Sequence, residues 1–93
     1  MPNRQTIKAI RECVQREIEA FDDTTAMKIL YADNLERELG VNPIGCCELE
    51  RAINGLKNPT VRMQVVGPND YSDSPMLIIA SNDREKTRRI LFA

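Results

Sequence analysis

The adjacent thiols of Cys46 and Cys47 are the groups in this chain best placed to do chemistry. A cysteine near a helix N-terminus can lose its proton more readily and become redox-active. Adjacent cysteines rarely bridge each other, however, and on a helix successive side chains point about 100° apart. Cys46 lies one turn before Leu49, on the apolar side, and Cys47 points away from it, so the plainer reading is small packing residues. Cys13 sits within an amphipathic stretch and reads as packing too. The chain contains no histidine, which removes the ordinary imidazole base, the Cys-His and Ser-His dyads and any His-containing metal site. Carboxylates are scattered or lie on solvated helix faces, and Gly40, Gly45, Gly55 and Gly67 form no phosphate-cradling loop. The expectation is a protein that is not an enzyme and has no metal and no cofactor.

The 93 residues suit a single domain, 1–93, with one core. At 42% hydrophobic and 29% charged the chain should fold in the ordinary way, and with two Phe, two Tyr and no Trp its core must be aliphatic. Thirteen basic and 14 acidic residues, evenly spread, leave a net charge of −1 and no global field toward phosphate or membrane. No apolar run approaches the roughly 18 to 20 residues that span a bilayer, and the charged amino terminus is unlike a signal peptide. A cytoplasmic location is therefore expected, and three cysteines, an odd number with two adjacent, make a poor disulfide framework.

Ile7, Ile10, Val14, Ile18 and Phe21 recur at spacings of three and four and predict an amphipathic first helix. Residues 25–39 admit two readings. One is a continuous helix from about Thr25 to Leu39, favoured by Ala, Met, Lys and Leu. The other is a short strand at Met27 to Tyr31 followed by a helix capped at Asp33, with Glu36 completing a capping box. Gly40 should end that helix in the left-handed conformation. Asn42 could then cap a further helix with Pro43 at its first position. Leu49, Ala52, Ile53 and Leu56 give that helix one apolar stripe, and Asn58-Pro59 ends it.

Beyond Pro59 the period changes. Val61, Met63 and Val65 alternate with Arg62 and Gln64 as in a half-buried strand. Gly67 to Pro75 is a polar loop, and Met76 to Ala80 reads as a second, antiparallel strand. For Ser81 to Ala93 a helix capped by Ser81 or Asn82 would place acids early and bases late, as the macrodipole prefers. The contiguous apolar triplet Ile90-Leu91-Phe92 narrowly favours a third strand instead. The fold class expected is α+β, with three N-terminal helices followed by a small antiparallel β-sheet.

The stretch from Ala32 to Leu56 resembles a helix-turn-helix unit, carried by Ala32, Leu35, Leu39-Gly40-Val41, Ala52-Ile53 and Leu56. With the hairpin that follows, the order of elements is winged-helix-like, and Gly67 to Pro75 would be the wing. The resemblance implies a small DNA-binding protein, a transcriptional regulator, with double-stranded DNA as partner. On that reading Asn42, Arg51, Asn54 and Lys57 would read or clamp the major groove, and Arg62 with Arg88 and Arg89 would touch the backbone. Glu48 and Glu50 on the same helix, and Asp70 and Asp73 in the loop, would repel phosphate. They favour the alternative, a protein-interaction or adaptor module built on the same scaffold. Tyr71, Met76 or Leu77 would be its apolar anchors. Self-association into a homodimer belongs to this class, with the first helix as a candidate seam.

Overall fold

The structure, a computed structural model, describes residues 4–22, 24–41, 43–68 and 74–92. Helix α1 runs Arg4–Glu19 and buries Ile10, Cys13, Val14 and Ile18, the stripe that its spacing dictates. At its end the Asp22 carboxylate accepts hydrogen bonds from the backbone N–H groups of Thr24 and Thr25, at 2.9 and 3.0 Å, and from both hydroxyls. This knot turns the chain into strand β1, Met27–Tyr31. Helix α2, Ala32–Leu39, follows directly.

Residues 25–39 are thus not one continuous helix. Intrinsic helix preference is worth only tenths of a kcal/mol per residue. Against it, β1 gains a full antiparallel ladder, from Met27 opposite Ala80 to Tyr31 opposite Met76. Nor does Asp33 cap α2: its carboxylate accepts from the Ser74 hydroxyl at 2.7 Å, and the N-cap is Tyr31, without a side-chain bond. Gly40 ends α2 at φ 63°, as its position predicts, with its N–H on the Glu36 carbonyl.

The next helix, α3, spans Cys46–Asn54 and begins later than Pro43. Ile44, only 2% exposed, is the reason. Its side chain enters the core and its N–H donates to the Glu36 carboxylate at 2.8 Å, so 43–45 stays extended up to the N-cap Gly45. Asn42, the expected cap, lies outside the described residues.

Strands β2, Val61–Val66, and β3, Met76–Ser81, form the hairpin, and the sheet order is β1-β3-β2, antiparallel throughout. Val61, Leu77, Ile79 and Ser81 are buried on the face that α1 and α3 cover. A strand therefore stands between the first two helices, where a block of three helices was expected.

Residues 84–92 also depart from expectation, forming helix α4, Arg84–Phe92, and not a third hairpin strand. Asp83 caps it, accepting from the N–H groups of Glu85 and Lys86 at 2.9 and 3.1 Å. Because β3 already has neighbours on both edges, no place beside it is left for a third hairpin strand. Ile90, Leu91 and Phe92 stay exposed. Among the described residues the fold is α+β, with four helices and one three-stranded antiparallel sheet.

Candidate nucleic-acid interface

Helix α3 is held by one face and open on the other. Leu49, Ala52 and Ile53 are buried against the core, while Cys47, Glu50, Arg51 and Asn54 are exposed. The C-terminal carbonyls of α3 would be left unpaired. Here the Gly55 and Leu56 N–H groups meet the Ala52 and Ile53 carbonyls, and the guanidinium of Arg11 of α1 donates to the carbonyls of Ala52 at 3.2 Å and Arg51 at 3.4 Å. Gly55 makes room for this contact, since a Cβ there would collide with the Arg11 guanidinium. The cation also faces the negative end of the helix dipole. Lys57 is exposed just beyond the helix, so Arg11, Arg51 and Lys57 bring positive charge to the C-terminal end of α3.

The remaining basic candidates lie elsewhere. Arg62 alternates with the core-facing Val61 and Met63 and is opposite Ala80, so its side chain leaves the sheet on the face away from α3. There it lines a groove of about 270 Å³ with Arg84, Thr87, Arg88, Leu91 and Phe92. Arg89 is exposed on α4 and is not among the groove's lining residues. The expected site residues therefore divide into Arg51, Asn54 and Lys57 at α3, Arg62 with Arg88 behind the sheet, and Arg89 apart. Asn42, Asp70, Tyr71 and Asp73 lie outside the described residues. Arg11 is not among the site residues that the sequence suggests. Nothing in its local spacing marks it, because its partner Gly55 is an ordinary turn residue until the two helices are packed.

The described ion pairs are Arg16 with Glu38, at 3.1 Å, and Lys28 with Glu17. Among the described residues, Arg11, Arg51, Lys57, Arg62, Arg84 and Arg88 have no carboxylate within ion-pair distance.

The thiols divide as the helical spacing implies. Cys13 is buried and its pKa is raised by burial and by the neighbouring Glu38 carboxylate, which keeps it protonated. Cys46 is half-buried, and its sulfur lies 3.4 Å from where a Cβ on Gly67 would stand, so the β2–β3 loop departs beside the start of α3. Cys47 is exposed. Among the described residues no three His, Cys, Asp or Glu side chains are grouped to hold a metal ion, and no helix is long and apolar enough to cross a membrane. Comparison with known protein families, with curated proteins and with solved structures returns no match.

Proposed function

We propose that the chain is a winged-helix DNA-binding protein, a cytoplasmic transcriptional regulator without catalytic activity. The order α1-β1-α2-α3-β2-β3 with β3 central supports the winged-helix reading, as does a β2–β3 loop that leaves beside α3. The observation that carries the function is α3 itself: rigidly seated by Leu49, Ala52 and Ile53, it turns Arg51 and Asn54 to the outside. Asn can pair with adenine and Arg with guanine in the major groove. Glu48 and Glu50 lie on the same helix, so phosphate contacts would fall to Arg51, Lys57 and Arg11, the cations gathered at its C-terminal end.

The test is duplex binding across a salt series. Wild-type protein is expected to bind with an affinity that falls steeply with salt, by about 0.9 in the log–log slope per phosphate contact. The double charge reversal Arg51→Glu, Lys57→Glu is expected to weaken binding at least about tenfold and to flatten that slope. An affinity indifferent to both salt and charge reversal overturns the reading. The alternative, a protein-binding module, draws its support from a different surface, the face of the sheet opposite α3.

A further inference from the structure

We propose that the outer face of the sheet, together with the apolar end of α4, is the contact surface of a homodimer. An antiparallel sheet with one solvated face normally alternates apolar inward and polar outward. Two of the three strands break that rule here. On β1 the outward residues are Met27, Ile29 and Tyr31, at 58%, 37% and 42% exposure, and on β3 they are Met76, Ile78 and Ala80. Only β2 offers polar groups to this face, Arg62 and Gln64.

Helix α4 carries the complementary feature. It has no buried residue, and its last turn presents Leu91 and Phe92 at 65% and 80% exposure. Arg62 lines both the shallow groove over Gln64, Ile78 and Ala80 and the groove beside Leu91 and Phe92. The apolar sheet face and the apolar end of α4 thus meet at one side chain and form a continuous surface. The apolar stripe of α1, Ile10, Val14 and Ile18, is buried in the core and offers nothing to this surface.

Two arguments name a second copy as the occupant. The first is symmetry. With β3 central, a two-fold axis running along it lays β1 of one chain over β2 of the other, so that the apolar strand of each copy covers the outward face of its partner. Arg62 of one chain then stands opposite β1 of its partner and not opposite the partner's Arg62, and Arg84 and Arg88 lie beside it at the rim formed by α4. The second is area. The six large apolar side chains left exposed amount to on the order of 600 Å² per chain, hence about 1,200 Å² in a symmetric pair, the lower edge of specific interfaces. This pairing involves none of the α3 residues, so it stands or falls separately from DNA binding.

Sedimentation equilibrium across a wide concentration range tests the proposal. Wild-type protein is expected to pass from the 10.6 kDa chain to twice that mass. Ile29→Lys and Phe92→Lys are each expected to weaken the dimer at least tenfold. Circular dichroism establishes that they fold, and the exposure of Phe92 ensures that at least one variant does. A wild-type protein that stays monomeric overturns the proposal, whether or not it captures some other protein. So does a dimer that persists unchanged in the folded variants, since it must then use another surface.

Discussion

Helices α3 and α4 are each nine residues long, and the fold treats them oppositely. α3 places three side chains in the core and has its C-terminal carbonyls held by Arg11. α4 buries nothing and is tied down at its first turn by Asp83, with Lys86 reaching the Asp22 carbonyl at 2.6 Å and lying over the Phe21 ring. Isolated helices of this length are marginal in water. The difference teaches that α3 inherits the stability of the whole domain, whereas α4 depends on its cap, a single lysine and whatever covers its apolar end. A surface that must hold side chains in register for a rigid duplex belongs on the first kind. A surface that is completed by association belongs on the second.

The largest expected effect breaks α3 from the core. Leu49 is fully buried, and Leu49→Ala should cost about 2–5 kcal/mol by lost transfer energy and the cavity left behind. That is a large part of the 5–15 kcal/mol typical of a domain. Leu91→Ala in α4, at concentrations where the chain is monomeric, should stay within about 0.5 kcal/mol. Urea denaturation of the two variants checks the contrast. Equal losses would mean that α4 is packed as firmly as α3.

A smaller effect sharpens the contrast from the other side. Asp83→Ala removes the acceptor for two N–H groups of α4 and should cost that helix about 1 kcal/mol. Because α4 buries no residue, the loss is expected as faster amide exchange in 84–92, with the denaturation midpoint of the domain nearly unchanged. Exchange that accelerates in α1 and α3 as well would show the two helices to be one cooperative unit.

The same distinction decides how much could be seen in the residues alone. The α1 stripe, the left-handed Gly40, the buried positions of α3 and the alternation of β2 are local patterns, and each is present in the fold. Strand β1 is one of the two readings open for residues 25–39, and periodicity could not select it because what makes Met27–Tyr31 a strand is pairing with β3, on the far side of two helices in the chain. Helix α4 is likewise one of two readings, with Ser81 or Asn82 as its cap, and is disfavoured because its apolar triplet is contiguous, as in a buried strand; the cap is Asp83. For the site, the outward face of α3 followed from its spacing. The separation of Arg62 from Arg51 required knowing that the sheet stands between them, and Arg11 required the packing of α1 on α3.

The smallest effect concerns pH and acts where α4 meets the rest of the chain. The Asp22 carboxyl is lowered to about 2 from an ordinary 3.8, first by the hydroxyls of Thr24 and Thr25 and then by their backbone N–H groups, all of which favour the charged form. A group whose native pKa lies below its unfolded value stabilises the fold fully above the unfolded value and loses that contribution as pH falls through the native one. The Asp22 contribution should therefore be constant down to about pH 4, decline toward pH 2 and vanish below it. Asp22→Asn isolates it: the variant should melt below wild type near neutral pH, and the gap should close as the pH approaches 2. Because Lys86 binds the carbonyl of this same residue, amide exchange in α4 should respond to the substitution before α3 does. A melting difference that is the same at both ends of that range would mean that the knot at 22–25 holds the chain by its backbone bonds and not by its charge.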